Sequence, residues 1–430
     1  MQYQSSRALS QVRAQTPRAQ ALLAAMPWAL PLAERVRAFA ALAAAVRARH
    51  QPENTPGITI RVRRGRALED GLAAMDRLRG QMRKRLQVVY TSALGHQESG
   101  IDLGGLFKDF WVDLSAAAFD PARGLFRQTR AGLLYPNPAS GALHADHLRL
   151  FEFLGAVLGK FLGAVLGKAL LEGITVQPQF ATFFLGFMRG GYDFLNLFHD
   201  LAGLDEELYR NLIFLKKYDG DGVETLCLSF TVTDEAFGAA REVELVPGGA
   251  QRAVTSRNRL EYVNRVAKHH LVDNVRSQSE AFVRGLRSVI PAAWLQMFSE
   301  PELQVLISGS GRAMDVDDLR RHAQYGGGFV GGGADATARR FWRVVAAMSA
   351  AERAALLRFV TGCARPPPLG FEALQPPFTI HRVPIRDDGE RLPSASTCFN
   401  VLKLPTYSSD KAMREKLLVS IFSGAGFELS

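Results

Sequence analysis

The chain has 430 residues, of which 47% are apolar and 22% are charged. It is too long for one hydrophobic core, so two or three globular domains are expected. Its three cysteines form no Cys-x-x-Cys pair, and its nine histidines supply no zinc-like set of four ligands. This pattern argues against a disulfide framework and against a metal site, and no cofactor is expected.

The net charge of +10 belongs to the start of the chain. Residues 1–90 contain 16 Lys and Arg against 5 Asp and Glu, which leaves 36 against 37 for residues 91–430. The densest cluster comprises Arg61, Arg63, Arg64 and Arg66. Aromatic residues are not interleaved with these arginines, so a solvated basic surface is favoured over a nucleic-acid site.

The first 33 residues contain three arginines and no acidic residue, a composition typical of organellar transit peptides. A start inside a longer protein explains the same composition and is the favoured interpretation. Cytoplasm and nucleus are the expected locations, and organellar targeting stays open as an alternative.

The first part of the chain is predicted to mix helices with short strands. Residues 20–49 are rich in alanine and predict an amphipathic helix. Residues 58–63 alternate at period two and predict a strand, and residues 68–85 return to helical spacing. To about residue 320, long helices continue with short predicted strands such as 226–232 and 241–246. These patterns indicate an α+β class.

A tandem repeat interrupts one of these helices. Phe153–Lys160 is followed at once by the identical octapeptide Phe161–Lys168. Eight residues add about 12 Å of helix and rotate the rest of the helix by about 80°. A loop or bulge must therefore absorb them, unless the repeat arose in the gene model. Its glycines predict close helix packing, because Lys160, Lys168 and Glu172 interrupt the apolar run before a membrane span is reached.

Six glycines in nine residues, 325–333, mark a second break in composition. Glycine gives the backbone wide freedom, so this segment predicts either a flexible linker or a static loop. Beyond it, the pattern predicts a helix over 336–360, strands over 378–383 and 399–404, and a closing helix over 410–422. These elements indicate a smaller α/β body.

The three cysteines have different surroundings. Cys227 lies in the alternating run 226–230 with bulky apolar neighbours, and is predicted to pack as a small buried hydrophobe. Cys363 follows a helical run and precedes a proline cluster, a position that indicates no chemistry. Cys398 lies within 392–401, among small polar residues and just ahead of an apolar run, and is the candidate nucleophile.

The segment around Cys398 carries a specific motif. It reads Leu-Pro-x-(Ala/Ser)-x-Thr-Cys-Phe-Asn from Leu392 to Asn400, and Phe427 stands fourth from the end of the chain. Further matching segments precede it in order: Glu98–Phe110, Tyr135–Pro138, Leu166–Leu170, Glu244–Gly249 and Arg365–Phe371. Over residues 58–430, and more weakly from about residue 26, the chain resembles the HECT-type ubiquitin-protein ligases, in the branch that ends Gly-Phe-Glu-Leu-Ser.

The resemblance implies a bilobal HECT domain of the α+β class. It comprises a larger, mostly helical N-lobe with short β hairpins, a flexible Gly-rich hinge and a smaller α/β C-lobe with the catalytic cysteine. The implied limits are 1–57 for a basic Ala/Arg-rich helical extension, 58–324 for the N-lobe, about 190–300 for its conjugating-enzyme-binding subdomain, 325–333 for the hinge and 334–430 for the C-lobe.

The resemblance also implies a function. Cys398 would accept ubiquitin from a conjugating enzyme as a thioester and pass it to a substrate lysine, which feeds proteasomal degradation. Thr397 would support this chemistry by hydrogen bonding, and Phe427 would anchor the tail in a transfer-competent arrangement. The implied partners are ubiquitin, a conjugating enzyme and protein substrates, with no nucleic acid and no membrane span.

The conjugating enzyme is expected to bind an exposed apolar patch of the N-lobe. The resemblance places six residues in this patch: Leu208, Asn211, Leu212, Tyr218, Leu226 and Leu228. Leu208 and Leu212 share one helix face. Their spacing alone would place both in the core, and only the resemblance favours an exposed groove.

Two other functions stay open. A catalytically impaired module that only docks ubiquitin or the conjugating enzyme would result if the octapeptide repeat displaced the N-lobe. A cysteine hydrolase would need a positioned histidine, and His381, the only histidine of the second lobe, has no recognisable partner in the sequence. The intact motif around Cys398 favours the transferase.

Overall fold

The structure is a computed structural model. It describes residues 26, 30–50, 58–78, 84, 86–91, 105–164, 178–191, 194–218, 222–236, 239–309, 311, 313–329, 332–367, 370–374, 376–397 and 399–423. The chain divides into two compact units. The first unit comprises Met1–Ser115, Leu158–Pro178 and Ser288–Ser430, and the second unit comprises Ala116–Val157 and Gln179–Arg287.

Helices dominate both units. In chain order they are α1 (Leu32–His50), α2 (Ala67–Leu78), α3 (Gly105–Ala118), α4 (Ser140–Leu143), α5 (His147–Ala164), α6 (Thr182–Arg189), α7 (Phe194–Leu204), α8 (Glu206–Lys217), α9 (Arg259–Lys268), α10 (Arg276–Val289), α11 (Ala292–Leu295), α12 (Glu300–Ser308), α13 (Val316–His322), α14 (Ala336–Ala346), α15 (Ala350–Thr361) and α16 (Asp410–Ser423). The mixed helix and strand content expected from the sequence is confirmed.

The strands are short and form small sheets. They are β1 (Ile58–Arg63), β2 (Leu86–Thr91), β3 (Phe126–Gln128), β4 (Leu134–Pro136), β5 (Thr231–Ala236), β6 (Ala239–Glu244), β7 (Gln324–Gly326), β8 (Thr379–Val383), β9 (Ser394–Ser396) and β10 (Val401–Pro405). β1 and β2 pair in parallel, whereas β3 pairs with β4 and β5 with β6 in antiparallel fashion. The remaining strands form one sheet in the order β7-β8-β10-β9.

Most predicted elements occur where the periodicity placed them. The predicted strand 58–63 is β1, and the predicted closing helix 410–422 is α16 with one further residue. The single helix predicted over 336–360 is wrong, because Ser349 starts a new helix there. The Ser349 hydroxyl accepts a hydrogen bond from the Glu352 N–H, and the Glu352 carboxylate accepts one from the Ser349 N–H. This reciprocal capping separates α14 from α15.

The C-terminal sheet of the first unit is covered by α14, α15 and α16. Its strands alternate, so one face of each strand is buried. Ile380, Leu402 and Ala395 lie on that face and belong to one hydrophobic core with Phe341 and Leu417 of the helices. β10 lies between β8, its parallel neighbour, and β9, its antiparallel neighbour. The segment before β10 is therefore held from two sides.

This α/β body begins before the predicted lobe boundary at residue 334. Met314 and Leu319 are buried in its core, and β7 pairs in parallel with β8. The Trp342 indole N–H donates to the Tyr325 hydroxyl at 2.8 Å. The first residues of the predicted hinge 325–333 are thus strand residues of the sheet, and hinge motion in this segment stays a prediction.

Helix α1, from the predicted N-terminal extension, packs within the first unit through Arg35. The Arg35 guanidinium binds both carboxylate oxygens of Glu302, at 2.6 and 2.7 Å, and donates to the carbonyls of Leu30 and Met297. Burial opposes ionisation of Glu302, but the hydrogen bonds from Arg35 and Ser299 hold the pKa of Glu302 below its usual range. The contact joins residues 267 positions apart in sequence.

Replacing Arg35 with leucine is expected to lower the free energy of unfolding by about 2–4 kcal/mol, because the Glu302 carboxylate and two carbonyls lose their shared donor. Urea denaturation followed by circular dichroism measures this loss. Arg37→Leu on the same helix is the matched control. Its exposed ion pair with Glu34 is expected to be worth less than about 0.5 kcal/mol. Equal losses in both variants would contradict a specific role for the buried contact.

The second unit has an aromatic core and a close helix crossing. Phe126 stacks edge-on against Phe151 at 5.3 Å. At the crossing of α5 and α10, a Cβ added to Gly155 would lie 1.9 Å from the Phe282 carbonyl oxygen, and one added to Gly285 would lie 1.8 Å from the Glu152 carbonyl oxygen. Only glycines permit this approach, so the close packing predicted for the first octapeptide is confirmed at Gly155.

The helix continues from the first octapeptide into the second, without a loop or bulge at their junction. α5 runs through the first octapeptide, which is buried, and into Ala164 of the second. Residues 165–177 lie outside the described residues, so the predicted loop or bulge is tested only as far as Ala164. None of the helices in the described part of the chain combines the length and the apolar character that a membrane crossing needs.

Candidate active site and docking surface

The candidate active site lies on the turn between β9 and β10. Ser396 opposes Val401 in this pairing, so four residues connect the two strands. The Phe399 N–H donates to the Ser396 carbonyl at 3.2 Å, and the Asn400 N–H donates to the Thr397 carbonyl at 3.4 Å. Cys398 itself lies outside the described residues. Its neighbours in sequence on both sides belong to a hydrogen-bonded turn.

Asn400 fastens the end of this turn to β8. Its side-chain amide donates to the Pro376 carbonyl at 2.7 Å, and its own carbonyl accepts from the Thr379 N–H at 2.9 Å. Its backbone is left-handed, with φ of 52°, a conformation that asparagine tolerates better than most residues. Asn400 is fully buried. The sequence motif contained this residue, but its anchoring role becomes visible only in the structure.

The surroundings of the turn are polar and partly closed. The hydroxyl of Ser394 and the amide oxygen of Asn400 are buried and have no hydrogen-bond partner in the part of the chain that the structure describes. Ser396 and Thr397 are half-buried, whereas Phe399 is 46% exposed. A turn of this kind can present a nucleophile at the surface while its supports stay in the core. His381, considered for a hydrolase, is exposed on β8 opposite Lys403.

The predicted docking surface lies in the second unit, on α8 and the loop after it. Tyr218 ends α8 and stacks edge-on against Phe214 at 5.5 Å. Its hydroxyl lies within 3.9 Å of where a Cβ on Gly222 would be, just before the short 3₁₀ helix Val223–Leu226. Leu226 is 42% exposed at the end of that helix. Phe214 and Tyr218 are thus in contact, and Tyr218 lies beside the start of the 3₁₀ helix whose last residue is Leu226.

The six residues predicted for the docking surface differ in exposure. Asn211 and Leu226 are exposed, while Leu208, Tyr218 and Leu228 are half-buried. Leu212 is only 4% exposed, so the exposed position expected for it is not observed, and its contact with a conjugating enzyme stays a prediction. It shares the apolar stripe of α8 with Leu215, which is buried as well, and a stripe of this kind faces the core.

Phe214 was missed from the sequence. It is 59% exposed, and it lies off the apolar stripe formed by Leu208, Leu212 and Leu215. An aromatic residue outside the buried stripe of an amphipathic helix must point away from the core. The position of Phe214 relative to the stripe was therefore the signal in the sequence that could have identified it. A large exposed aromatic side chain is typical of protein–protein contacts.

The loop after Leu226 corrects two predictions. The strand predicted over 226–232 begins only at Thr231, because Val223–Leu226 form a 3₁₀ helix and Cys227 follows with a left-handed backbone. Cys227 is exposed instead of packing as a buried hydrophobe. The alternation of apolar residues indicated a strand, but a residue with positive φ interrupts that alternation. Phe427, the other predicted site residue, lies outside the described residues.

Comparisons with known proteins agree with this picture. A family profile described as HECT-domain (ubiquitin-transferase) matches residues 112–430. E3 ubiquitin-protein ligase UPL6 of Arabidopsis thaliana is 41% identical over 98% of this chain and 40% of its own length. Ubiquitin-protein ligase E3B of Homo sapiens is 38% identical over 96% of this chain and 40% of its own length. E3 ubiquitin-protein ligase HUL5 of Saccharomyces cerevisiae is 37% identical over 86% of this chain and 39% of its own length.

The chain thus spans about two fifths of the length of these relatives. The family profile covers both the second unit, with its candidate docking surface, and the turn around Cys398. The relatives extend the similarity to nearly the whole chain, including α1. The chain belongs to the HECT-domain (ubiquitin-transferase) family.

Proposed function

We propose that this chain is the catalytic part of a ubiquitin-protein ligase that carries ubiquitin as a thioester on Cys398 and transfers it to a substrate lysine. Its partners are ubiquitin, a conjugating enzyme and protein substrates. The observation that carries the proposal is the turn 397–400, which closes a β hairpin and is held by Asn400 to Pro376 and to Thr379 of β8. Membership of a ubiquitin-transferase family supports the same function.

The reaction exchanges one thioester for another. The Cys398 thiolate attacks the carbonyl carbon that links ubiquitin to the conjugating enzyme, a new C–S bond forms, and the conjugating-enzyme thiolate leaves. In the second step a lysine amine attacks the Cys398 thioester, an amide C–N bond forms, and the Cys398 thiolate leaves while the amine proton passes to solvent or a nearby base. Thr397 and Ser396 support these steps as hydrogen-bond donors towards the thiolate or the oxyanion.

A short reaction with ubiquitin, activating enzyme and a panel of conjugating enzymes tests the proposal. On a non-reducing gel we expect an adduct one ubiquitin heavier that disappears when thiol is added. Absence of this adduct with every conjugating enzyme, from protein that is folded by circular dichroism, would contradict a transferase and favour a module that only docks the conjugating enzyme.

We infer that the conjugating enzyme binds the surface that runs from Phe214 over Tyr218 to Leu226. Phe214→Ala and Leu226→Ala are each expected to lower the rate of Cys398 loading at subsaturating conjugating enzyme by about tenfold, since exposed apolar anchors dominate protein interfaces. The matched control is Leu143→Ala, because Leu143 is an exposed leucine elsewhere in the second unit. Leu212→Asp is unsuitable, because a carboxylate at this buried position would unfold the unit.

If Phe214→Ala and Leu226→Ala load Cys398 at the wild-type rate, the docking surface lies elsewhere. The same loss in Leu143→Ala would mean that the assay reports general destabilisation. Circular dichroism of all three variants separates these outcomes.

We further infer that the α/β body moves about Gly311 and about the glycines from Gly328 onward, which is the part of the segment 325–333 beyond β7. Gly309 ends α12 with a positive φ of 80°, and a Cβ added to Gly311 would meet nothing within 4 Å. By contrast, a Cβ added to Gly327 would lie 2.6 Å from the Arg382 carbonyl oxygen. Gly327 is therefore held against β8, whereas Gly311 and Gly328, where an added Cβ would meet nothing within 4 Å, have room to rotate.

A further inference from the structure

Left-handed backbone occurs at two non-glycine residues in the described part of the chain, and each lies in one of the two candidate sites. Asn400 has φ of 52° in the turn before β10, and Cys227 has φ of 49° in the candidate docking surface. Asparagine is common in this conformation, whereas cysteine is not, and the Cys227 thiol makes only a weak sulfur hydrogen bond, to the Thr225 carbonyl at 3.7 Å. Such outliers persist only where the surrounding structure imposes them, and they cluster at functional sites. Cys227 therefore needs an explanation.

The chain is fastened immediately before Cys227. The 3₁₀ helix Val223–Leu226 ends with the Cys227 N–H donating to the Glu224 carbonyl at 3.2 Å. The Glu224 carboxylate in turn accepts a hydrogen bond from the Ser256 N–H at 3.0 Å. This backbone hydrogen bond holds the pKa of Glu224 below its usual range. The 3₁₀ helix is thus attached to the segment around Ser256.

The chain is fastened again immediately after Cys227. The Leu228 carbonyl accepts from the Val254 N–H at 2.8 Å, and Ser229 forms an isolated antiparallel bridge with Ala253. Phe230 follows and is fully buried. The segments before and after Cys227 are therefore both fixed by hydrogen bonds. The left-handed backbone of Cys227 connects them in a geometry that satisfies both sets of hydrogen bonds.

The left-handed backbone of Cys227 decides the direction in which the Leu226 side chain points. In an extended strand Leu226, Leu228 and Phe230 would share one face, which would bury Leu226 along with Phe230. The left-handed residue interrupts that alternation, and Leu226 is exposed while Phe230 stays in the core. An apolar side chain held outwards on a doubly fastened loop is preorganised for a partner, which saves the cost of ordering it on binding.

We propose that Cys227 is a positioning residue for docking of the conjugating enzyme. Its left-handed backbone, and not its thiol, holds Leu226 outwards, where this side chain contacts an apolar surface of the conjugating enzyme. The inference rests on the proposed function, because it names how the docking surface of that same reaction is formed. Its effect is on binding, so the chemistry at Cys398 proceeds at an unchanged rate once the complex has formed.

Steady-state loading of Cys398 against the concentration of ubiquitin-charged conjugating enzyme tests this inference. Cys227→Val is the disruptive variant, because a β-branched side chain strongly disfavours the left-handed conformation. We expect it to raise KM about tenfold with kcat within about twofold of wild type. Cys227→Gly adopts a left-handed backbone without strain, and its KM is expected to lie much closer to wild type than that of Cys227→Val.

Gly132→Ala is the matched control for strain alone. Gly132 lies in the second unit with φ of 76°, and an added Cβ would meet nothing within 4 Å. This variant introduces the same kind of backbone strain outside the segment from Phe214 to Leu228, so it is expected to lower stability while leaving KM unchanged. Cys227→Thr replaces Cys227→Val in the comparison if the valine variant does not fold, because threonine is β-branched as well.

Three results would overturn the inference. They are a wild-type KM in Cys227→Val, a fall in kcat at unchanged KM, and a KM of Cys227→Gly as high as that of Cys227→Val. Calorimetric binding of the uncharged conjugating enzyme provides a second readout. If the wild-type chain binds it but forms no thioester, the proposed transfer function fails, while the Kd values of the same variants still decide the role of Cys227.

Discussion

Replacing Cys398 with alanine is expected to abolish the thiol-sensitive ubiquitin adduct and all transfer to substrate lysines, because no other group can hold ubiquitin as a thioester at the turn 397–400. The measurement is the loading reaction on a non-reducing gel, followed by the same reaction with a lysine acceptor. A loss of more than about 1,000-fold in transfer is the expected size for removal of a covalent nucleophile.

The other cysteines provide the controls for this experiment. Cys363 is buried, and Cys363→Ala is expected to retain the adduct, as is Cys227→Ser. Persistence of the adduct in Cys398→Ala together with its disappearance in one of these variants would reassign the nucleophile. An adduct that survives added thiol in the wild type would indicate an amide bond to a lysine instead of a thioester.

Replacing Gly155 with leucine is expected to lower the free energy of unfolding of the second unit by about 3 kcal/mol or more. Gly155 lies where α5 crosses α10, and these two helices cannot separate without losing contacts along their whole crossing. A Cβ alone would lie 1.9 Å from the Phe282 carbonyl oxygen. Urea denaturation followed by circular dichroism measures the loss. Loading of Cys398 should fall in parallel with the folded fraction.

The tandem repeat supplies an unusually close control. Gly163 occupies the same position in the second octapeptide as Gly155 in the first, so Gly163→Leu changes the same local sequence and the same helix propensity. We expect a clearly smaller loss for Gly163→Leu. Equal losses would contradict the assignment of the crossing to the first octapeptide.

A further outcome would show that the octapeptides are interchangeable. If Gly155→Leu were tolerated and only the double variant unfolded, the second copy could take the place of the first. The structure favours the first copy, because Phe151, two residues before it, is fully buried against Phe126. A shift by eight residues would bring Gly159 to that position and leave the aromatic site empty, which is costly.

The sequence by itself determined those secondary-structure elements that depend only on the pattern of neighbouring residues. Period-two alternation located β1 and β8, and helical spacing located α16, because each pattern needs only neighbouring residues and one buried face. The motif from Leu392 to Asn400 identified the segment that forms the hairpin turn. The same motif, together with the upstream segments, indicated the HECT family that the comparisons then confirmed.

Tertiary structure decided which side of each element meets solvent and which distant segments meet each other. The helical spacing of Leu208 and Leu212 indicated a buried stripe on α8, but only the structure shows that Leu212 is covered while Phe214, two positions later, is exposed. Tyr325 and Gly326 read as flexible glycine-rich chain until β8, more than 50 residues later, pairs with them.

The same physical reason applies to single residues. Cys227 departs from the strand pattern because hydrogen bonds from Ser256 and Val254 fix the chain on either side of it. Arg35 is held by Glu302, which no local pattern connects with it. Local sequence sets the period of an element, but the free energy that chooses its partner, its exposed face and its strained positions comes from contacts between residues far apart in the chain.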